Sequence, residues 1–310
     1  MEEAACGSAG QESGPGAGRG DAGLTRRAGE HITPCPRLQQ AGFSALPYAA
    51  RHAASATAAG SFPSPSSSSK GSPMNDAFPD VRLLVFDIFG TVVDWHGSIV
   101  REMQALQPQV DADAFALAWR EGYQPAMQRV RSGELGWTRI DELHRMILDG
   151  LLPRFGLEHL SEPERRHLNH AWHRLAPWPD SVAGLQRLKR RRTIATLSNG
   201  NIGLLTDMAK AAGLPWDCIL SAEVFRAYKP DPAVYLGAAR VFDLEPAQVM
   251  MVAAHHEDLE AARACGLRTA YVERPHEFGA ARAKDVSPRP GNDLHCTDLG
   301  ALADMLAGPG

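Results

Sequence analysis

The chain has 310 residues, a formal net charge of −4 and five cysteines. This charge argues against a protein that binds the nucleic-acid backbone, because such proteins carry strongly basic surfaces. The odd number of cysteines, none in a Cys-x-x-Cys pair, argues against a disulfide scaffold and a zinc site, and it fits a reducing compartment. No apolar run approaches the ~20 residues of a membrane-spanning helix. We therefore expect a cytoplasmic protein with neither nucleic acid nor membrane as a partner.

The N-terminal part of the chain differs in composition from the rest. Residues 1–73 are dominated by alanine, glycine, serine and proline, and they end in SFPSPSSSSKGSP. Such a segment buries too little apolar surface to offset the entropy lost on ordering, so we expect disorder over residues 1–76. The segment has no apolar core before a cleavage site and is a poor targeting signal. Met74, just ahead of the first predicted strand, is our candidate for the natural start.

Short apolar runs of strand type begin after residue 80. They occupy residues 81–86, 193–197, 218–220, 249–253 and 268–272. Helical patterns separate the later runs, at residues 201–212, 232–242 and 257–265. Strands and helices that alternate at these lengths predict a parallel sheet with helices on both faces. The expected fold class is therefore α/β, with a Rossmann-like doubly wound parallel sheet as its core.

One long stretch, between Asp94 and Pro177, interrupts this alternation. It has helical periodicity at residues 113–131, 138–152 and 161–175, and it contains no convincing strand. We expect a helical domain inserted at residues 96–176. The α/β core would then comprise residues 77–95 and 177–310.

Polar side chains follow the predicted strands at one edge of the sheet. Asp87 ends the first strand, Ser198-Asn199-Gly200 ends the second, Lys229 follows the third, and the fourth leads into His255-His256-Glu257-Asp258. In an open parallel sheet, functional groups gather beyond these carboxyl ends. Each residue also has a structural interpretation, as a helix cap, a turn or a solvated side chain. The two histidines with Asp258 could also indicate a metal site, although adjacent histidines rarely bind one ion together.

In this order, these residues resemble the motifs of the haloacid dehalogenase superfamily. The stretch DIFGT, followed by Ser198, Lys229 and Asp258, matches that superfamily over nearly all of residues 80–280. The resemblance implies that Asp87 is a covalent nucleophile and that Thr91 is its usual partner. It also implies that the helical insertion is a cap domain.

Phe89 distinguishes between reaction types within the superfamily. The phosphatases carry a second aspartate there, because expulsion of an alkoxide requires a general acid. Displacement of halide from carbon expels a weak base that needs no proton. The phosphatases also have an acid early in the fourth motif, where this chain has AAHHED. Because few oxygen ligands remain for Mg²⁺, we expect no metal and no other cofactor.

The remaining features resemble the type II, L-2-haloacid dehalogenase subgroup. In that subgroup a cap arginine within a Trp-Arg…Tyr stretch receives the halide, and Arg120 in WREGY matches it. Asn199 and Tyr235 match the subgroup's asparagine and tyrosine. The resemblance implies hydrolysis of a small (S)-2-haloacid to a 2-hydroxy acid and halide, through an aspartyl ester. A solvated helix arginine is the alternative interpretation of Arg120, and dimers are common in the family.

The chain departs from the subgroup just before Asp258. The subgroup has a serine and an asparagine there, thought to position the hydrolytic water, and this chain has Ala253 and His255. A neutral His255 imidazole can accept a hydrogen bond from water. The departure leaves two alternatives open. One is a phosphatase of the same superfamily, against which Phe89 argues, and the other is a non-catalytic binding protein with the same fold.

Overall fold

The computed structural model describes residues 78–307. The segment predicted to be disordered, residues 1–76, lies outside the described residues. Within the described range the strands are β1 Leu83–Phe86, β2 Val93–Asp94, β3 Ala176–Pro177, β4 Thr193–Ser198, β5 Cys218–Ser221, β6 Val249–Ala253, β7 Arg268–Val272 and β8 Leu294–Cys296. Six of them form a parallel sheet in the order β5-β4-β1-β6-β7-β8. None of the helices in this range combines the length and apolar character that crossing a membrane requires.

The central position of β1 places the residue after it at the middle of the sheet. Leu83 pairs with Thr193 on one side and with Val249 on the other. All four side chains of β1 and all five of β6 are buried, as expected for strands covered on both faces. The five predicted strands are confirmed within a few residues. Strand β8 is not predicted from the sequence, because it is short and only partly buried.

Helices cover both faces of the sheet. In the core they are α6 Ser181–Lys189, α7 Ile202–Ala212, α8 Ala222–Phe225, α9 Pro232–Val241, α10 His256–Ala264 and α11 Leu299–Ala307. Side chains of α9 and α10 pack with Leu83 and Val85. Side chains of α6, α7 and α11 pack with Leu84 and Phe86 on the opposite face. Successive residues of one strand thus support two separate apolar layers, and the prediction of a doubly wound α/β sheet is confirmed.

Five further helices lie between β2 and β3 in the chain. They are α1 Trp95–Leu106, α2 Ala112–Glu121, α3 Tyr123–Arg131, α4 Ile140–Leu151 and α5 Glu162–Asn169. The two strands pair antiparallel, Val93 with Pro177, and close the insertion at its base. The helical stretch predicted at 113–131 is divided at Gly122, where a Cβ atom would lie 2.5 Å from Ile147 Cγ2. We keep residues 96–176 as the proposed extent of the cap domain.

A polar cluster joins this insertion to α7. The Nδ1 atom of His173 lies 2.8 Å from Asp207 Oδ2, and its Nε2 atom lies 3.1 Å from Asp141 Oδ1. Asn201 Nδ2 donates a 2.9 Å hydrogen bond to the other oxygen of Asp141. Burial lowers the pKa of His173, but its contacts with the two carboxylates outweigh that effect and raise it above the ordinary value. The cluster therefore holds the insertion against the core most strongly when His173 is protonated.

Candidate active site

The carboxyl end of β1 opens into a cavity of about 390 Å³ between the sheet and α2–α3. Side chains from separate strand ends converge on it, as the sequence analysis expects. Eight of the ten predicted site residues line it: Asp87, Phe89, Arg120, Asn199, Lys229, Tyr235, His255 and Asp258. Thr91 and Ser198 are fully buried and do not line this cavity.

Lys229 lies between two buried carboxylates. Its Nζ atom is 3.0 Å from Asp87 Oδ1 and 2.5 Å from Asp258 Oδ2. Burial would raise the pKa of Asp87, but Lys229, followed by His255, holds it far below its usual range. Burial would likewise lower the pKa of Lys229, but the charges of Asp258 and Asp87 raise it. Asp87 is therefore an ionised carboxylate and Lys229 an ammonium throughout the neutral pH range.

Two further groups hold the second oxygen of Asp87. The hydroxyl of Thr91 donates to Asp87 Oδ2 over 2.8 Å, and it accepts a 2.9 Å hydrogen bond from the backbone N–H of Ala254. The Nδ1 atom of His255 is 3.2 Å from the same carboxylate oxygen. The positive φ of Gly90, +84°, belongs to the turn that brings Thr91 back towards Asp87. Both oxygens of Asp87 are thus oriented before any substrate binds.

Asp258 contacts the site through Lys229 and Tyr235. Its Oδ1 atom accepts a 2.6 Å hydrogen bond from the Tyr235 hydroxyl, while its Oδ2 atom faces Lys229. Burial raises the pKa of Asp258, the nearby charge of Asp87 adds to this, and Lys229 opposes it. Because both oxygens have partners, this arrangement favours Asp258 as the group that orients Lys229.

His255 also faces a carboxylate that the sequence analysis missed. Its Nε2 atom is 2.8 Å from Oε1 of Glu277, a side chain with no solvent exposure. The other Glu277 oxygen faces Lys284 Nζ at 2.5 Å, and Trp95 Nε1 donates to Glu277 Oε1 over 3.4 Å. Glu277 lies in the loop after β7. The same inspection of strand ends, extended to β7, would have drawn attention to this loop.

The adjacent histidine belongs to a different environment. The ring of His256 stacks on Tyr271 at 4.1 Å between centroids, whereas His255 faces the cavity. The backbone at the start of α10 thus turns the two side chains apart. Within residues 78–307 no group of three or more histidine, cysteine, aspartate or glutamate side chains is arranged to hold a metal ion.

The cap contributes an arginine to the cavity without a carboxylate partner. The guanidinium of Arg120 lies 4.3 Å from the Tyr123 ring centroid and 5.7 Å from that of Trp95. No acidic residue of the described part of the chain forms an ion pair with Arg120. A cation that stacks on aromatic rings and lacks a counter-ion is available to an anion in the cavity.

Asn199 lies in the same cavity, at the end of β4. Its Oδ1 atom accepts a 2.8 Å hydrogen bond from the backbone N–H of Lys229, which fixes the orientation of the amide. Its Nδ2 atom faces the sulfur of Met127 at 3.4 Å, a weak partner. Ser198, by contrast, accepts a hydrogen bond from Gly200 N, 3.1 Å away, inside the turn that follows β4. The Asn199 amide is thus aimed at the cavity, whereas Ser198 supports the turn.

Phe89 forms an apolar wall of the cavity. Only 3% of its surface is exposed, and its ring packs edge-on against Tyr123, His144 and Trp172. Burial lowers the pKa of His144 to about 3, so this neighbouring ring is neutral. No proton donor therefore occupies the position where the superfamily's phosphatases carry an acid.

Comparison with known proteins places this geometry in a family. Residues 81–266 match the family model of haloacid dehalogenase-like hydrolases. An (S)-2-haloacid dehalogenase of Pseudomonas sp. (strain CBS-3) is 31% identical over 215 residues, which cover 65% of this chain and 89% of that protein. Another, from Burkholderia cepacia, is 30% identical over 66% of this chain and 89% of that protein.

Solved structures agree with these sequence matches. The crystal structure of an L-2-haloacid dehalogenase is 47% identical, with a TM-score of 0.70, and the match covers 73% of this chain and all of that one. The structure of a defluorinating L-2-haloacid dehalogenase is 45% identical, with a TM-score of 0.71, over 74% and 97% of the two chains. The chain belongs to the haloacid dehalogenase superfamily and, within it, to the 2-haloacid dehalogenase subgroup.

Proposed function

We propose that the protein is a hydrolytic dehalogenase that converts an (S)-2-haloacid and water into a 2-hydroxy acid and halide. The observation that carries this proposal is the environment of Asp87. The ionised carboxylate faces a cavity that contains an unpaired Arg120, while an apolar Phe89 stands where phosphatases need an acid. This combination suits displacement of a leaving group that requires no proton. The names of the relatives, (S)- and L-2-haloacid dehalogenases, support the same substrate class.

In the first half-reaction Asp87 acts as the nucleophile. Its oxygen attacks the carbon that bears the halogen from the side opposite the halogen, forms the C–O bond of an aspartyl ester and inverts the carbon. Lys229, Thr91 and His255 orient the carboxylate, so little reorganisation is needed at the moment of reaction. Backbone N–H groups near Ser198 and Asn199 bind the substrate carboxylate. Arg120 and the Asn199 amide stabilise the departing halide.

In the second half-reaction water attacks the carbonyl carbon of the Asp87 ester. His255 lies against Asp87, and in its uncharged form it can accept the proton of this water, which replaces the function of the subgroup's serine and asparagine. Asp258 and Tyr235 hold Lys229, which opposes the negative charge that develops on the ester oxygen. Collapse of the tetrahedral intermediate breaks the bond to the substrate oxygen, which takes the second proton of the attacking water. The 2-hydroxy acid leaves, and Asp87 returns as a carboxylate.

The test is halide release from (S)-2-chloropropionate in the presence of EDTA. We expect turnover without added metal, and none after Asp87→Asn, because an amide is a poor nucleophile. Asp80→Asn, which removes a carboxylate from an exposed turn, should keep the wild-type rate. Activity that requires Mg²⁺ and a phosphate ester would favour the phosphatase alternative. Binding of haloacids without any turnover would favour the non-catalytic alternative.

Further expectations accompany this proposal. The net charge of −4 argues against nucleic acid as a partner, and the names of the relatives support a small haloacid as the substrate. We also propose a cytoplasmic location, from the five cysteines that fit a reducing compartment, and a homodimer, from the family resemblance. Sedimentation velocity of the purified chain measures the oligomeric state, and fractionation of the source cells measures the location.

A further inference from the structure

The mechanism described above uses His255 but not the contact that His255 makes with Glu277, nor the contact of Glu277 with Lys284. This chain of contacts contains a buried carboxylate outside the predicted motifs, and it ends against the nucleophile. We propose that Glu277 is a positioning residue that holds His255 against Asp87. We further propose that alkylation of Asp87 converts His255 from a cation into the general base of ester hydrolysis, and that its proton leaves together with the halide. This inference rests on the proposed function.

The geometry fixes His255 at both nitrogens. Glu277 accepts from Nε2 at 2.8 Å, and Nδ1 is directed at Asp87 Oδ2 at 3.2 Å. Glu277 is itself immobilised, because Lys284 Nζ bridges its Oε2 atom and the backbone oxygen of Ala254, each at 2.5 Å. Ala254 immediately precedes His255. The lysine therefore ties the loop after β7 to the backbone that carries the imidazole.

The loop is also anchored on its other side. The buried Arg274 donates from Nε to the backbone oxygen of Thr91 over 2.8 Å, and its Nη2 atom pairs with Asp180 Oδ2 at 2.8 Å. Thr91 in turn donates to Asp87. The position of Glu277 relative to the nucleophile is thus determined by hydrogen bonds at both ends of the segment between residues 274 and 284.

The charges around His255 change during the reaction. The groups that face it are Asp87, Glu277 and, through Glu277, Lys284, with Lys229, Asp258 and Arg120 farther across the cavity. In the resting enzyme burial opposes the charge of the imidazole, but Glu277 and Asp87 outweigh burial and raise the pKa of His255 to about 9. His255 is therefore a cation at neutral pH. An ester at Asp87 carries no charge. Alkylation therefore removes one of the two negative charges that raise the pKa of His255.

The proton balance closes over one cycle. Alkylation forms the C–O bond, breaks the carbon–halogen bond and releases halide, after which the imidazolium gives one proton to solvent. The neutral imidazole then accepts a proton from the attacking water. Hydrolysis returns Asp87 as a carboxylate, His255 as a cation and the product as a neutral alcohol. The sum of these steps is the overall reaction, in which a haloacid and water give a hydroxy acid, halide and one proton.

The experiment is a single turnover with enzyme in excess, at a pH below the His255 pKa of about 9. A pH indicator follows proton release, and rapid quenching follows halide and 2-hydroxy acid separately. We expect one proton to appear with the halide, ahead of the hydroxy acid. Proton release that follows hydroxy acid formation in the wild-type enzyme contradicts the inference. If no halide is released at all, it is the proposed function that fails.

Two variants and one control separate positioning from mere support of the fold. Glu277→Gln keeps the shape but removes the charge that raises the pKa of His255, so hydrolysis should persist to lower pH and less proton should accompany the halide. Glu273→Gln, on the same loop, is the control. It removes a carboxylate whose Oε1 atom lies 2.7 Å from His295 Nε2 and which does not line the cavity, so this variant should match the wild type. His255→Asn should accumulate the Asp87 ester, detectable by mass, with hydrolysis slowed by ~10²-fold or more. Equal slowing of both half-reactions in Glu277→Gln, with an unchanged pH profile, contradicts the assignment.

Discussion

At the scale of single residues, the site depends on one cation placed between two carboxylates. Lys229 is 7% exposed, and the side chains of Asp87 and Asp258 are 10% and 11% exposed. Charges buried to this extent are stable only because they are paired. The same pairing keeps Asp87 ionised without a general base, so the nucleophile is ready before the substrate arrives. Stability and reactivity at this position therefore have one physical origin.

Lys229→Met tests this origin. Loss of the ammonium leaves two buried carboxylates facing each other, which raises the pKa of Asp87 from its depressed value. Protonation of Asp87 then begins at a higher pH, so the acid limb of kcat/KM should move up in pH and kcat/KM should fall by ~10²-fold or more. Lys210→Met, on the exposed face of α7, is the control. A wild-type pH profile in folded Lys229→Met would contradict the role of Lys229.

The sequence predicts part of this site for a simple geometric reason. Parallel strands deliver their carboxyl ends to one edge, so Asp87, Asn199, Lys229 and Asp258 could be expected to meet. The loop after β7 could be expected at the same edge, but the contact of Glu277 with His255 could not, since it depends on hydrogen bonds of Arg274 and Lys284. The sequence also does not predict whether the Ser198 hydroxyl faces the cavity or supports the turn. The orientation of a hydroxyl in a turn depends on local backbone geometry.

At the scale of secondary-structure elements, the polar cluster between α4 and α7 decides how firmly the cap is held. His173 is the titrating group, and its pKa is raised in the folded protein by Asp141 and Asp207 after burial has been overcome. A histidine with a raised pKa contributes stability that is fully present below its unfolded pKa of ~6.5 and is lost as the pH rises through its folded value. The attachment of the cap should therefore weaken towards alkaline pH.

His173→Gln should lower stability in a pH-dependent way. We expect the variant to unfold at a lower urea concentration than the wild type under mildly acidic conditions, and the two midpoints to converge as the pH rises. His159→Gln, at an exposed position before α5, provides the matched control. Urea midpoints measured across this pH range give the answer. A difference that is constant, or that grows with pH, would refute the assignment to the protonated imidazole.

At the scale of the whole molecule, the described residues contain all of the chemistry that we assign. The family match spans residues 81–266, and the L-2-haloacid dehalogenase structure that is 47% identical is covered along its full length by 73% of this chain. The central strands and the helices that alternate with them followed from the apolar pattern. The edge strand β8 and the helix α11 could not be predicted from this pattern, because their short segments carry too little periodicity to be distinguished from loops.

A chain that begins at Met74 should therefore retain full activity. It includes every strand of the sheet and all the cavity residues. We expect the same kcat/KM for (S)-2-chloropropionate as for the 310-residue chain, and the same thermal midpoint. Side-by-side assays of both proteins provide the measurement. A substantial loss of activity in the shorter chain would show that residues 1–73 take part in the reaction.

The space beside Gly90 links two distant positions of the chain. A Cβ atom at residue 90 would collide with the carboxyl group of Glu277. Any side chain at position 90 would thus displace the carboxyl group that faces His255. The positive φ of Gly90 would also strain the backbone of any other residue at this position. In evolutionary terms the two positions should covary. Relatives with a larger residue at the position of Gly90 should lack an acid at that of Glu277. Those that also have a histidine at the position of His255 would need another group to hold it.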